Sequence, residues 1–153
     1  MKLSTDNLAL AHDAVIDLQL HTNNSDGQWT AEALIDYLIS EGFGLAAITD
    51  HDRADIASDL QSLAIAKQFP LLVAVEISSM WQGELTDFLC YGFNPTDNAL
   101  LALSEEVAQR QYENTRLVVE NLRKNDYAIS EDDLVSALAK PSCQQLIQKL
   151  ADK

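Results

Sequence analysis

Residues 45–52 read Leu45-Ala46-Ala47-Ile48-Thr49-Asp50-His51-Asp52. The segment 45–49 is a continuous apolar run of strand length, which is typical of a parallel strand covered by helices on both faces. The three polar residues follow at the end of that strand. Functional side chains of α/β folds gather at the C-terminal ends of the strands, so this stretch predicts a site as well as a strand.

Two more strands are predicted on either side of this one. Residues 14–21 are rich in β-branched and other apolar side chains, and the polar turn cluster 22–27 ends the segment. Pro70 then interrupts the chain before a buried strand at 71–75. That strand is expected to deliver Glu76 at its C-terminal end.

Helices are predicted between these strands. Thr30 offers an N-cap to a segment with apolar residues at helical spacing, and Gly42 is a plausible stop for it. A second helix is expected over about 55–69. The resulting order of strand, helix, strand, helix, strand indicates an α/β fold with a parallel sheet or barrel.

The alternation of strands and helices ends after the third strand. A fourth strand is predicted at 85–92, antiparallel to the third because the connection 81–84 is too short for a crossover helix. The remainder reads as helical, which predicts one domain with an α/β half at 1–97 and a helical segment at 98–153. Its three helices are expected at about 98–125, after an N-cap at Ser130 with Asp133 three residues on, and from about Ser142.

The charge balance narrows the choice of partners. The chain has 24 Asp plus Glu against 10 Lys plus Arg, a formal net charge of −14. Such a field repels nucleic-acid phosphates and anionic membranes, so a nucleic-acid-coating or membrane role is disfavoured. The two cysteines, Cys90 and Cys143, have no zinc spacing, and the N-terminal residues lack an apolar leader. A cytoplasmic protein is expected.

Four residues of ligand type are expected near the ends of the predicted strands: His21, Asp26, His51 and Glu76. Imidazole nitrogens and carboxylate oxygens suit a divalent ion such as Zn²⁺, Mn²⁺ or Fe²⁺. One histidine alone is more often structural than a ligand, but the joint placement of these residues favours a metal site. His12 precedes the first strand and is expected at the surface.

The motifs around these residues resemble PHP-type (polymerase and histidinol phosphatase) phosphoesterases. The matching segments are Asp17-Leu18-Gln19-Leu20-His21-Thr22 with Ser25-Asp26-Gly27, then Ile48-Thr49-Asp50-His51-Asp52, then Val75-Glu76-Ile77-Ser78. The resemblance is closest to the small branch that acts on nucleotide and sugar phosphates. It implies part of a distorted βα barrel, here with about four strands, and metal-dependent hydrolysis of a phosphate ester in which His51 and Asp26 take part.

The sequence also departs from the family pattern. Gln19 stands where the first histidine of a His-x-His pair is expected, Asp87 takes the place of a later family histidine, and Ser142 takes that of another. The resemblance therefore implies a reduced ligand set of His21, Asp26, His51, Glu76 and Asp87. Such a set would hold one or two ions or none.

Four residues near this set have open roles. Gln19 could contact the ligands or the substrate. Asp50 and Asp52 either orient His51 or cap the following helix. Arg53 either contacts a substrate phosphate or is paired with nearby acids.

Two functions remain open. The first is a phosphoesterase with a reduced metal site and a small phosphorylated substrate. The second is a catalytically inactive scaffold, regulatory or ligand-binding module of the same fold; a plain α/β domain ranks well behind both. A half-barrel would expose a sheet edge, so we expect the later helices to cover it, a second copy to pair with it, or a missing C-terminal segment to complete it.

Overall fold

The computed structural model describes residues 9–130 together with Asp132 and Asp133. The chain divides between Ser104 and Glu105 into two compact units. The first unit holds every strand that the structure describes. The second begins within a long helix.

A three-stranded parallel sheet forms the first part of the first unit. Its strands are β1 (Val15–Leu20), β2 (Phe43–Ile48) and β3 (Leu71–Leu72), in the order β1-β2-β3. Both pairings are parallel, with Leu20 beside Ile48 and Ala46 beside Leu71. The predicted parallel α/β arrangement is confirmed for these strands.

Two helices connect the parallel strands. Helix α1 (Ala31–Ser40) begins where predicted, because the Thr30 side chain accepts a hydrogen bond from the Ala33 amide at 3.2 Å. It ends before Gly42, whose φ of +74° favours glycine. Helix α2 (Ala57–Ala66) follows a 3₁₀ turn and is shorter than predicted.

The hydrophobic core lies between this sheet and the two helices. Its side chains come from one face of each helix, from the inner residues of β2 and β3, and from the connection between α2 and β3. The buried members are Leu34, Ile35, Leu38, Ala46, Ile48, Leu60, Ala64, Phe69 and Leu71. Burial of this shared apolar surface drives the packing of the helices against the strands.

An antiparallel hairpin follows the parallel sheet. Strands β4 (Ala74–Trp81) and β5 (Glu84–Tyr91) pair along their whole length. The turn consists of Gln82 and Gly83, both at positive φ, as in the type I′ turns that match strand twist. The predicted antiparallel fourth strand is confirmed. Several large apolar side chains of the hairpin are exposed, namely Met80, Trp81, Leu85 and Phe88.

One strand prediction is wrong. Residues 71–75 do not form a single strand that ends at Glu76, because β3 stops at Leu72 and the ladder with β5 begins at Ala74. The Gly92 amide donates to the Val73 carbonyl at 2.8 Å, at the junction between the two strands. Glu76 therefore lies inside β4, where Leu89 of β5 is its antiparallel partner.

The first helix of the predicted helical segment is confirmed. Helix α3 (Leu100–Lys124) is close to the predicted range. Ser130 and Asp133 form a reciprocal cap, since the Ser130 hydroxyl accepts from the Asp133 amide and the Asp133 carboxylate accepts from the Ser130 amide, each at 3.1 Å. The helix predicted from Ser142 lies outside the described residues. No described helix combines the length and apolar character that a membrane span needs.

Helix α1 offers a matched test of the core. Ile35 is fully buried, whereas Ile39 on the same helix is 44% exposed. We expect Ile35→Ala to lower the free energy of unfolding by about 2–5 kcal/mol, because it leaves a cavity between helix and sheet. Ile39→Ala should change it much less. Urea denaturation measures both, and equal losses would contradict this account of the core.

Candidate metal site

The ligand-type residues meet where parallel pairing continues beyond the regular strands. The Thr49 amide donates to the Leu20 carbonyl at 2.7 Å, and the Asp52 amide donates to the Glu76 carbonyl at 2.7 Å. His51 forms an isolated parallel bridge with Glu76. The segment after β2 is thus aligned with the end of β1 on one side and with the start of β4 on the other.

The side chains of His21, Asp26, His51 and Glu76 form one cluster. His21 lies in the middle, with Nε2 3.1 Å from Glu76 Oε2 and Nδ1 3.1 Å from Asp26 Oδ1. His51 Nε2 is 3.9 Å from a carboxylate oxygen of each of these acids. The two imidazole rings are 4.8 Å apart between centroids. All four residues singled out from the sequence are therefore neighbours.

The donor set fits a metal ion in two overlapping groups. His21, Asp26 and His51 have ligand atoms within 4.8 Å of one another, and so do His51, Glu76 and Asp87. His21 Nδ1 is buried and has no hydrogen-bond partner among the residues that the structure describes, because its approach to Asp26 lacks hydrogen-bond geometry. A cation between these atoms would satisfy that nitrogen. Three protein ligands per ion would leave a coordination position open for water or substrate.

Gln19 contacts the cluster through Glu76. Its side-chain Nε2 donates to both carboxylate oxygens, at 3.3 and 3.5 Å. Since only the NH₂ end of an amide can donate to a carboxylate, the Gln19 nitrogen faces Glu76. An amide NH₂ group has no lone pair available for a metal, so Gln19 supports a ligand in this conformation instead of being one.

The loop after β1 is held by a buried carboxylate. Asp50 Oδ1 accepts hydrogen bonds from the Thr22 amide at 2.7 Å and the Ser25 hydroxyl at 2.6 Å, and Asp50 Oδ2 accepts from the Thr22 hydroxyl at 2.6 Å. Thr22 is fully buried and Asp50 nearly so. Asp26 directly follows Ser25 in this loop.

Asp52 joins His51 to the hairpin. Its carboxylate accepts the Ser78 amide at 3.0 Å, while the Ser78 hydroxyl lies 3.4 Å from His51 Nδ1. Burial raises the pKa of Asp52, and the Ser78 amide and the nearby His51 oppose that rise. Asp52 itself has a φ of +56°. This tight turn directs His51 towards Glu76.

Arg53 is engaged on the outside of the loop. Its guanidinium forms two hydrogen bonds to the Asp55 carboxylate, at 2.8 and 2.9 Å, and a third to the Asn24 carbonyl at 3.0 Å. The hydrogen bond to Asp55 is the main reason that the pKa of Arg53 is raised. Arg53 thus clamps the loop that carries Asp26.

Three contributing residues were not singled out from the sequence: Thr22, Ser25 and Ser78. A signal for Ser78 was available, because alternate strand residues share a face and Ser78 lies two positions after Glu76. Its cross-strand partner is Asp87, which therefore points to the same face. For Thr22 and Ser25 the turn cluster predicted a loop but not its contact with Asp50, which is 25 or more residues away.

Comparisons with known proteins agree with this geometry. No family model matches the chain. The chain is 30% identical over 103 residues to the 3',5'-nucleoside bisphosphate phosphatase of Chromobacterium violaceum, and 30% identical over 112 residues to the 5'-3' exoribonuclease Rnm of Escherichia coli. The resemblance to PHP-type phosphoesterases is confirmed.

Solved structures support the same PHP-type fold. An amidohydrolase from Chromobacterium violaceum, solved with bound sulfate and no metal, superposes with a TM-score of 0.76 at 26% identity, over 91% of this chain and 50% of that one. A proposed metal-dependent phosphoesterase from Bifidobacterium adolescentis gives 0.70 at 23% identity, over 82% and 44%. The latter likeness concerns the fold alone.

The PHP-type match is partial in length. The aligned segments cover 67% and 72% of this chain but only 36% and 38% of the two curated relatives. The superpositions show the same relation, since this chain covers half or less of each solved structure. The chain therefore spans little more than a third of the length of the curated relatives it matches.

Gly27 offers a test of the loop that carries Asp26. A Cβ atom at this position would lie 2.3 Å from the His21 carbonyl oxygen, a backbone atom that cannot move aside cheaply. We expect Gly27→Ala to destabilise the protein by about 1–3 kcal/mol and to shift the amide NMR signals of the loop. Gln28→Ala, at the exposed neighbouring position, is the control. An alanine that leaves both stability and loop signals unchanged would show that the loop packs differently.

Proposed function

We propose that this chain carries the metal site of a phosphoesterase that hydrolyses a small phosphate ester. The observation that carries the proposal is the convergence of His21, Asp26, His51 and Glu76 into a single cluster. The sequence similarity to a nucleoside bisphosphate phosphatase and an exoribonuclease supports it.

The four residues of the cluster differ in their exposure to solvent, and their proposed roles differ accordingly. His21 and Glu76 lie at the inner side, where Glu76 is buried and Gln19 fixes its carboxylate. Asp26 is 48% exposed at its side chain and His51 29%. These two would hold the ion on the side open to solvent, which makes them the proposed catalytic residues. A bound Mn²⁺, Zn²⁺ or Fe²⁺ would lower the pKa of a water and stabilise charge on the phosphoryl oxygens.

The charge around the cluster makes a cation necessary for phosphate binding. Within residues 9–104 the basic side chains are Arg53 and Lys67. Arg53 pairs with Asp55, and Lys67 pairs with Glu32 and Asp36. Carboxylates otherwise dominate the site, and they would repel a phosphate dianion unless a bound ion reversed the local potential.

We further propose a small phosphorylated compound, such as a nucleotide, as substrate. The net charge of −14 disfavours a long polyanion, whereas a single phosphate group can reach an ion held at Asp26. The number of ions would be one or two, since the two ligand groups share His51. Asp87, exposed on β5, would complete the second group.

Metal binding and turnover test this proposal together. Protein purified without chelators is titrated with Mn²⁺ by calorimetry, and hydrolysis of an aryl phosphate is followed with Mn²⁺ present. His51→Ala removes a ligand common to both groups, so we expect Mn²⁺ affinity to fall by more than about tenfold and turnover to disappear. His12→Ala, whose side chain is 96% exposed, should change neither. Absence of Mn²⁺ binding by the wild-type chain would refute the metal site.

A second candidate is an inactive PHP-type module that binds a ligand or partner. The observation in its favour is Gln19, whose NH₂ group holds Glu76 where the family pattern has an imidazole. A site locked in this way could keep its fold without gathering enough ligands for catalysis.

The Gln19→His variant distinguishes the two candidates. If the wild-type site is a working one, turnover is already present, and the histidine should raise Mn²⁺ content per chain by supplying a further ligand. If the module is inactive for want of that ligand, Mn²⁺ content and turnover should appear only in the variant. Gln28→His, in the exposed part of the loop, is the control. Metal content by elemental analysis and aryl phosphate hydrolysis provide the two readings.

A further inference from the structure

Within the described residues, the buried carboxylate of Asp50 forms no hydrogen bond with His21, with His51 or with the following helix. The hydrogen bonds found for it go to Thr22 and Ser25, which lie 28 and 25 residues earlier in the chain. Helix α2 and its preceding 3₁₀ turn have no side-chain cap at their N-termini. The side-chain hydrogen bonds of Asp50 therefore go to the loop that carries Asp26.

The three hydrogen bonds to Asp50 are short for their types. Two involve hydroxyl donors at 2.6 Å and one a backbone amide at 2.7 Å, the range of bonds to ionised acceptors. Asp50 and Thr22 are both shielded from water. A buried carboxylate with three hydrogen-bond donors stabilises the local structure far more than an exposed ion pair does, because each lost hydrogen bond would leave a buried polar group unsatisfied.

Ser25 links this buried carboxylate to the metal ligand. The same hydroxyl oxygen that donates to Asp50 lies 3.3 Å from Asp26 Oδ1. The Ser25 amide and the Gly27 amide both donate to the Thr22 carbonyl, at 3.1 and 2.9 Å. Asp26 is thus enclosed between two residues whose backbone is fixed to Thr22, and Thr22 is fixed to Asp50.

We propose that Asp50 is a positioning residue that sets the carboxylate of Asp26 for the cation by holding the loop 22–27 through Thr22 and Ser25. The loop is then in its binding conformation before the ion arrives, and little ordering free energy is lost on binding. This inference rests on the proposed metal site, and it assigns Asp50 to Asp26 rather than to His51.

The test compares Mn²⁺ affinities of variants of the 153-residue chain by calorimetry. Asp50→Asn keeps the shape but removes the charge and presents an NH₂ group to one of the donors. We expect it to weaken Mn²⁺ binding by about 10-fold to 100-fold, the usual effect of a residue that orients a ligand. Asp59→Asn, an exposed acid on α2, removes the same charge away from the loop and should stay within about twofold of wild type by the same comparison.

A double-mutant cycle separates positioning from general stability. Ser25→Ala removes the link between Asp50 and Asp26 and should weaken Mn²⁺ binding by several-fold. Asp50→Asn combined with Ser25→Ala should bind no more weakly than Asp50→Asn alone, because both changes break the same connection. Additive losses would overturn the proposed connection.

Amide exchange provides a reading that does not involve metal. In the ion-free protein, Asp50→Asn should lose protection at the amides of Thr22 and Gly27 while that of Ile35 in the core of α1 remains protected. Equal loss at all three would mean that the variant unfolds, and the proposal would be overturned in favour of a structural role. If the wild-type chain binds Mn²⁺ and the Asp50→Asn variant binds it with the same affinity, this inference alone is overturned. If the wild-type chain binds no Mn²⁺, the inference is overturned together with the proposed function.

Discussion

Two backbone hydrogen bonds beyond the ends of the regular strands hold the site together. One runs from the Thr49 amide to the Leu20 carbonyl and the other from the Asp52 amide to the Glu76 carbonyl, both at 2.7 Å. They extend parallel pairing past the end of β2, so the segment that follows β2 stays in register with the end of β1 and with the start of β4. The positions of both histidines relative to the buried glutamate follow from this register, because backbone pairing fixes the spacing of neighbouring Cα atoms.

The buried carboxylate of Glu76 is compensated by few hydrogen-bond donors. Glu76 is almost fully buried, and removing a carboxylate from water costs several kcal/mol unless donors or cations compensate for the lost hydration. His21 and Gln19 provide the compensation in the described structure. Gln19 does so as a neutral donor, which explains how the fold retains Glu76 with one imidazole fewer than the family pattern. The same substitution limits the number of ligands left for an ion.

The antiparallel hairpin of β4 and β5 distinguishes this chain from a simple α/β unit, in which all strands are parallel. Because Gln82 and Gly83 reverse the chain in two residues, β4 continues well past Glu76 and pairs with β5 instead of ending at the site. Ser78 and Asp87 are thereby added to the face that bears Glu76. The hairpin is thus part of the site itself, and it contributes both a contact to His51 and a candidate ligand.

The sequence alone determined the first two parallel strands, the start of the third, the two connecting helices and the hairpin partner, and it indicated the residues that form the candidate metal cluster. Local signals were sufficient there: the apolar run 45–49, the Thr30 cap and the ligand-type residues near strand ends. Only the tertiary structure decided that Glu76 lies within a strand. It also decided that Gln19 turns its nitrogen to that glutamate and that the loop after β1 bonds to Asp50. The physical reason is that the place of Glu76 depends on its pairing with Leu89 across the hairpin. The other two features depend on contacts between residues 25 to 57 positions apart, whose partners are chosen by packing and by the satisfaction of buried polar groups.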